Sequence, residues 1–371
     1  MDNCVIPHGY KATALGIIPQ EWEVMLLGNL SNSISSGRNK HRDAHGQYPV
    51  FGSTGIIGYS STYEYEGPVI LVARVGANAG TLNFASGQYD VSDNTLIITI
   101  KQNVYDYNFA YNQLTHYKLN KLVFGSGQPL ITSKQLKNIR IPVPPLAEQR
   151  KIAEVLGVWD EAIEKQARLI EKLALRKRGL MQRLLSAKLR LPGFSDPWKE
   201  LKINKITIIR KGEQVNKDVL FSNAKYPVIN GGITPSGYLD IYNTKANTIT
   251  ISEGGNSCGY VNFMTTPFWS GGHCYTIEAK DGINNLFIYQ LLKNNEKYIM
   301  SLRVGSGLPN IQIKDLGNLK FMIPTYQEQT AIAEVLTASD REIELAKEKL
   351  ERLRRQKRGL MQQLLTGKKR I

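Results

Sequence analysis

Apolar residues recur every 3.5 positions along two long segments of the chain, residues 146–185 and 326–365. The spacing between successive apolar positions alternates between four and three for more than four heptads in each segment. A repeat of this length predicts coiled-coil helices, each on the order of 55 Å long at 1.5 Å per residue. The alternative is a pair of amphipathic helices inside an ordinary domain, which the length and the repetition both disfavour.

The two segments are copies of each other, aligned without a gap at an offset of about 180 residues. Lys177 and Lys357 fall at core positions of the heptad, where a polar residue costs stability but can fix register. We expect the two helices to pair antiparallel. The apolar positions predicted to form the spacer-helix core are Ile152, Leu156, Trp159, Ile163, Ile170, Leu173, Leu180 and Leu184, and Ile332, Leu336, Ile343, Leu350, Leu353, Leu360 and Leu364.

Short β-branched runs separated by Gly, Asn and Ser turns fill the regions before each helix, which predicts a curled antiparallel sheet with a few helices. Trp22 and Trp198 open the two regions, and Trp22 is expected to dock onto a core. The helical segments expected within them are residues 108–119 and 285–302. The predicted fold class is α+β, with two β-rich domains separated by two long antiparallel coiled-coil helices in an internal pseudo-twofold repeat.

This organisation divides the chain into four parts. They are a first β-rich domain (1–145), a central helix (146–190), a second β-rich domain (191–324) and a C-terminal helix (325–371). The β-rich domains match in outline but differ in their loops: Arg74 corresponds to Glu253, and Gln128 to Leu308. A shared scaffold with different loop chemistry is what two readers of two different targets would have.

The formal net charge of +15 indicates a polyanionic partner. More than half of it lies on the two helices and is concentrated toward their C-terminal parts, where residues 165–190 hold nine Lys and Arg against one Glu. Favourable interaction with the helix dipole explains only part of this excess. A role in binding nucleic acid or another acidic partner is therefore expected.

Sequence signatures of catalysis, metal binding and membrane insertion are missing. The chain contains no GxxxxGK[ST], HExxH, CxxC or GxSxG motif, and no Asn/Asp-Pro-Pro-aromatic tetrad of an amino-methyltransferase. Its three cysteines are unpaired in spacing, and it has neither an apolar run long enough to span a membrane nor a signal peptide. We expect a non-catalytic, cytoplasmic binding protein with reduced thiols and no metal site.

Candidate DNA contacts follow from residue type and loop position. Arg and Lys can read guanine, Asn and Gln can read adenine, and Gly-Ser-Gly loops can present amides to a phosphate. Fewer than half of the set are expected to touch DNA, because any single one is more often a turn former or a solvated surface residue. The candidates are Arg38, Lys40, Arg42, Tyr48, Arg74, Asn78, Ser126 and Gln128 in the first region, and Lys211, Asn230, Asn256, Ser257, Ser306 and Asn310 in the second.

Several motifs recur at the edges of the repeated regions: GIIPQEW at 16–22, LPGFSDPW at 191–198, GSGQPLI at 125–131, IPVPPLAEQ at 141–149 and the two KRGLMQ segments. Through these motifs the chain resembles, over essentially its full length, the specificity (S) subunits, the HsdS family, of type I restriction–modification enzymes. The second copy departs from the pattern where Pro324-Thr325-Tyr326 replaces the double proline. We read Thr325 and Glu328 there as a capping box at the helix start.

The resemblance implies two target recognition domains, each reading one half of a bipartite double-stranded DNA site in a prokaryotic defence system. The helices would set the gap between the half-sites and dock two methyltransferase (M) subunits. Endonuclease/translocase (R) subunits would join these in the full complex. The partners, not this chain, would carry S-adenosylmethionine, ATP and Mg.

Two other hypotheses place the chain in a different functional class. One is a non-enzymatic assembly adaptor whose helices bind a protein partner, which the positive charge disfavours. The other is a free-standing DNA-binding regulator that never meets a methyltransferase.

Overall fold

The computed structural model describes residues 6–124, 129–305 and 309–371. The chain forms two compact units. The first unit combines residues 1–167 with 349–371, and the second unit is the continuous stretch 168–348. Each unit is therefore built from one β-rich region and one half of each long helix.

The strands of the first unit are β1 (Tyr10–Thr13), β2 (Gly16–Pro19), β3 (Glu23–Leu26), β4 (Ser31–Ser36), β5 (Tyr48–Gly52), β6 (Gly55–Ser60), β7 (Tyr65–Glu66), β8 (Val69–Ala73), β9 (Leu82–Ala85), β10 (Gln88–Val91), β11 (Thr95–Ile100) and β12 (Arg140–Val143). Its helices are α1 (Leu27–Leu30), α2 (Tyr107–Tyr117), a 3-10 turn (Leu119–Leu122), α3 (Ser133–Lys137) and the first half of α4 (Leu146–Leu184).

The second unit repeats this plan with β13 (Lys199–Lys202), β14 (Thr207–Lys211), β15 (Tyr226–Ile229), β16 (Gly237–Leu239), β17 (Thr248–Ser252), β18 (Val261–Met264), β19 (Trp269–Ser270), β20 (Cys274–Ala279) and β21 (Lys320–Ile323). Its helices are α5 (Ile203–Ile206), a 3-10 turn (Lys217–Val219), α6 (Asn285–Asn294), α7 (Glu296–Ser301), α8 (Ile313–Asn318) and the first half of α9 (Tyr326–Leu364).

Equivalent sheets appear in both units. The antiparallel sheet β4-β11-β8-β9 corresponds to β14-β20-β17-β18, and the sheet β6-β5-β10-β7 corresponds to β16-β15-β19. Within the latter pair, β5 and β10 run parallel, as do β15 and β19. The prediction of antiparallel strands was thus incomplete, because a parallel pair depends on which distant segment returns to a strand.

Two of the small helices, α2 and α6, begin where an Asp or Asn side chain caps them. The Asp106 carboxylate accepts a hydrogen bond from the Phe109 amide at the start of α2, and Asn284 does the same for Phe287 at the start of α6. The segment predicted as one helix over 285–302 is broken at Asn295 into α6 and α7.

The long helices pack antiparallel within each unit. In the first unit Ile152 and Leu156 of α4 share a core with Leu364 of α9. In the second unit Leu184 of α4 shares a core with Ile332 of α9 and the sheet above it. The antiparallel helix pair, the α+β class and the internal repeat are confirmed.

The predicted heptad positions all face inward to some degree. Buried are Ile152, Leu156, Leu173, Leu184, Ile332, Leu336, Leu350 and Leu364. Half-buried are Trp159, Ile163, Ile170, Leu180, Ile343, Leu353 and Leu360. In the described residues, no helix is long and apolar enough to cross a membrane.

The heptad lysines each meet an aspartate of the other helix. Lys177 Nζ donates to Asp340 in the second unit, and Lys357 Nζ donates to Asp160 in the first. The lysine side chains are only 13% and 14% exposed. Asp160 and Asp340 are 180 residues apart, as are Lys177 and Lys357, so they occupy equivalent positions of the two copies. The same polar pair therefore recurs in both units.

A buried glutamate in the first turn of each long helix anchors the β-rich region. In the first unit Glu148 accepts from the Trp22 indole at 3.0 Å and from Arg370 Nε at 2.6 Å. In the second, Glu328 accepts from Trp198 at 3.0 Å and from Arg190 through Nε and Nη2. The capping box read at Thr325 and Glu328 is wrong, because these partners occupy the Glu328 carboxylate.

Candidate nucleic-acid interface

The same glycine loop follows the equivalent strands β8 and β17. Gly76 and Gly255 both have φ of +76°, a conformation that L side chains rarely adopt. Their amides donate to the carbonyls of Pro129 and Pro309, each at 3.0 Å. The two loops therefore have one backbone geometry, and the side chains they carry are what differs between the units.

In the second unit this loop borders a cleft of about 550 Å³. Lys211 ends β14 on one side of the cleft, and Asn230 follows β15. Asn256 lies on the glycine loop, and Asn310 lies shortly before α8. Four sequence-predicted candidates from four separate segments thus line one cleft.

Of the other two candidates in the second unit, Ser257 does not line the cleft. Ser257 is half-buried in the glycine loop, where its carbonyl accepts from the Tyr260 amide at 2.8 Å. Ser306 lies outside the described residues. The Ser257 carbonyl therefore stabilises the turn.

Two cleft residues escaped the sequence reasoning, Glu253 and His273. Glu253 is 8% exposed and accepts from Lys211 Nζ at 2.6 Å and from the Tyr275 hydroxyl at 3.0 Å, both through Oε1. His273 Nδ1 lies 3.4 Å from its other oxygen, Oε2. Burial, with the hydrogen bond to Glu253 second, raises the pKa of Tyr275 well above its usual value, which keeps the hydroxyl protonated as a donor.

The sequence carried a signal for Glu253 in its alignment with Arg74. Carboxylates can read bases as hydrogen-bond acceptors, a role that the pairing of Arg and Lys with guanine and of Asn and Gln with adenine does not include.

In the first unit the basic candidates lie on the exposed segment after β4. Arg38, Lys40 and Arg42 are exposed. Arg42 Nη1 donates to the Asn39 side chain at 2.8 Å, which orients its guanidinium, whereas Arg38 is 3.8 Å from Glu64 in a loose, solvated ion pair. These side chains present positive charge to solvent, as phosphate contacts would require.

The other candidates of the first unit are placed differently. Arg74 is half-buried, and its Nη1 donates to Ser36 at 3.1 Å. Tyr48 packs against Tyr63 with ring centroids 4.8 Å apart, and Asn78 is exposed on the glycine loop. Ser126 and Gln128 lie outside the described residues.

The buried thiols lie in the second unit. Burial raises the pKa of Cys274 to about 11 and also raises that of Cys258. Among residues 6–124, 129–305 and 309–371, no group of three or more His, Cys, Asp or Glu is arranged to hold a metal ion.

Known proteins match the chain along nearly its whole length. A family described as type I restriction modification DNA specificity domain matches residues 19–174 and 195–355. The type I restriction enzyme MjaVIII specificity subunit of Methanocaldococcus jannaschii is 25% identical over 95% of this chain and 94% of its own length. The putative MjaX specificity subunit of the same organism is 27% identical over 98% and 97%.

A similar fold occurs in a solved structure. The crystal structure of the type I restriction–modification system S subunit from M. genitalium superimposes with a TM-score of 0.68 at 22% identity, covering 93% of this chain and 96% of that one.

Proposed function

We propose that this chain, which belongs to the family of type I restriction–modification DNA specificity subunits, reads a bipartite DNA site with one β-rich region for each half. The chain itself would carry no catalytic activity. Residues 1–145 and 191–324 would be the two target recognition domains, and 146–190 and 325–371 the spacer helices.

One observation supports the proposal that each β-rich region recognises its own half-site. Both regions have the same sheets and the same glycine-loop backbone, yet residues at equivalent positions differ in charge, as with Arg74 and Glu253. A scaffold that is kept while its displayed side chains change is suited to reading two different sequences.

The proposed contacts fall into two kinds. The exposed Arg38, Lys40 and Arg42 suit phosphates, together with amides of the loops at Ser126 and Ser306. Lys211, Asn230, Asn256 and Asn310 suit base edges, because they converge on one cleft. The other proposed contacts are Tyr48, Arg74, Asn78, Gln128 and Ser257.

The helices would set the gap between half-sites and dock two methyltransferase subunits. Val158, Leu169 and Leu175 on α4 support docking, since they are 63%, 45% and 60% exposed outside the heptad core. The methyltransferases would bring S-adenosylmethionine, and endonuclease/translocase subunits would bring ATP and Mg.

A domain exchange tests the two-reader proposal. Replacing residues 20–140 with the matching region of a relative should change one half-site of the methylated sequence and leave the other half and the gap unchanged. Sequencing of modified bases in cells expressing each chain measures this. The reciprocal exchange of residues 198–323 is the matched control and should change only the other half-site. A change in both halves from one exchange would contradict the proposal.

DNA binding separates this function from an assembly adaptor. A DNA reader that neutralises phosphates loses affinity steeply as salt rises, with a slope of log K against log salt of about −0.9 per phosphate contact. A gel-shift series of the full chain with its methyltransferase partners between low and moderate salt measures the slope. A flat response, or no shift, would favour the adaptor. Failure of the chain to co-purify with a methyltransferase would favour a free-standing regulator.

A further inference from the structure

Arg74 and Glu253 occupy the same point of the repeated scaffold. Each is the first residue after its strand, β8 or β17. The carbonyl of Arg74 accepts from the Ile131 amide and that of Glu253 from the Ile311 amide, both at 2.9 Å. One backbone position therefore presents a hydrogen-bond donor in the first unit and an acceptor in the second.

The residue that binds this side chain also differs between the units. Ser36, which ends β4, accepts from Arg74, and Lys211, which ends the equivalent β14, donates to Glu253. Arg74 is thus held by a hydrogen-bond acceptor and Glu253 by a donor, each from the end of the equivalent strand. These bonds fix the direction of both side chains.

Arg74 and Glu253 each have one buried polar atom without a hydrogen-bond partner among the described residues. Glu253 Oε1 takes both donors, Lys211 and Tyr275, while the buried Oε2 has no hydrogen-bond partner among the described residues. Arg74 binds Ser36 through Nη1, while its buried Nε likewise has no partner there. Buried polar atoms without a partner are costly, so each of these atoms indicates a ligand that completes it.

We propose that this position determines base specificity in both half-sites. Glu253 Oε2 accepts a hydrogen bond from the exocyclic amine of a cytosine or an adenine, and Arg74 donates to O6 and N7 of a guanine. The inference rests on the two-reader function proposed above and names the bases that two of its side chains recognise.

Exposed side chains border the Glu253 carboxylate. Lys211 is 52% exposed and His273 62% exposed, and both border the cleft that Glu253 lines. A base edge entering the cleft would displace His273 from Oε2 and leave the Lys211 ion pair to Oε1 in place.

The first test uses the unaltered protein and modified DNA. In the half-site assigned to the second region by the domain exchange, each cytosine is replaced in turn by its 2-pyrimidinone analogue and each adenine by purine. These analogues lack only the amine. We expect one position at which binding by the full complex weakens about tenfold. The analogue that does so identifies the base as cytosine or adenine.

A variant then ties that position to Glu253. In Glu253→Gln, Lys211 and Tyr275 hold the amide oxygen in the place of Oε1, so the amide NH₂ takes the place of Oε2. An acceptor becomes a donor, and the preferred base should change by a transition, cytosine to thymine or adenine to guanine, by about tenfold. Glu278→Gln, which removes an exposed carboxylate paired with Arg210 in the same sheet, should leave the sequence unchanged.

The first unit provides the complementary result. Arg74→Lys keeps the charge but loses the planar fork of donors, so it should relax selection of one guanine in the other half-site. Substitution of that guanine by 7-deazaguanine should weaken binding of the unaltered protein.

The experiments distinguish a failure of the role proposed for Glu253 from a failure of the two-reader function on which that role rests. Half-sites that exchange as proposed, without an amine whose removal weakens binding, would overturn the role of Glu253 alone. An unchanged sequence in Glu253→Gln would do the same. If Glu253→Gln does not fold, the analogue scan on the unaltered protein decides by itself. A domain exchange that leaves both half-sites unaltered would instead overturn the two-reader function.

Discussion

Glu148 and Glu328 each hold an indole and a guanidinium that are distant in sequence. The Glu148 carboxylate binds Trp22, which lies between β2 and β3, and Arg370, which follows α9; Glu328 binds Trp198 and Arg190 in the second unit. The repeated Glu-Gln pair was visible in the sequence, but its role was not, since no local pattern links residues more than 100 positions apart.

Removing one of these glutamates should destabilise its own unit. Glu328→Ala leaves the Trp198 indole without an acceptor and Arg190 without its counter-charge, at a cost of about 3 kcal/mol. Glu200→Ala is the control, because its pair with Lys320 is more than half exposed and contributes about 0.5 kcal/mol.

Native-state hydrogen exchange measures both variants. Amides in residues 199–323 should lose protection in Glu328→Ala, while those in 10–143 keep it. Equal effects of the two substitutions would show that the buried cluster contributes no more than a surface ion pair.

The two buried thiols should resist modification in the folded protein. Because burial raises the pKa of Cys274 to about 11 and that of Cys258 above its usual value, little thiolate forms at pH 8. Alkylation by iodoacetamide, followed by peptide mass spectrometry, should label both only after unfolding. Labelling of either residue in the native state would contradict the burial described for it.

At the level of elements, the long helices were predictable and the sheets only partly so. A heptad is a local pattern that extends over more than 35 residues, so Ile152 and Leu364 could be placed in a core from spacing alone. The parallel pairing of β5 with β10 could not, since it depends on a return of the chain about 40 residues later. The acceptor at Glu253 was missed for a chemical reason, because the residue types expected to read bases were Arg, Lys, Asn and Gln, and a carboxylate is not among them.

The Lys–Asp pair between the long helices recurs in both units, but the further partners of its aspartate differ. This difference predicts unequal losses of stability when each aspartate is removed. Asp340 binds Lys177 and also accepts from Gln290 of α6 at 2.9 Å, so it joins three helices. Asp340→Ala should cost about 2 kcal/mol. Asp160→Ala should cost less, since Asp160 is 56% exposed and pairs with Lys357.

Unit-resolved hydrogen exchange again provides the measurement. Glu342→Ala on the same helix, which removes an ion pair to Arg176 about half exposed on both sides, is expected to change stability by less than 1 kcal/mol. If Asp340→Ala matched that control, the buried lysine would not depend on its aspartate.

At the scale of the whole molecule, the unit boundary shows where a spacer could be lengthened. It falls after Ala167 in α4 and after Glu348 in α9. Inserting one heptad at both places should leave the contacts within each unit intact and lengthen the helices by about 10.5 Å. We expect the gap between half-sites to grow by about three base pairs, at 3.4 Å each.

Sequencing of modified bases would report the new gap directly. A variant in which one heptad is replaced by another of equal length is the control and should keep the original gap. Altered half-sites with an unchanged gap would show that the helices do not act as a ruler.

The discontinuity of the first unit has a consequence for biosynthesis. Its core includes Met361, Leu364 and Leu365, and its Glu148 accepts a hydrogen bond from Arg370, all of which are translated about 215 to 225 residues after α4 begins. At 5–20 residues per second, that interval is on the order of ten seconds or more. The second unit, by contrast, is one uninterrupted segment. Of the two units, the one whose synthesis starts first is therefore the last to be completed, and until then Ile152 and Leu156 lack the α9 residues with which they share a core.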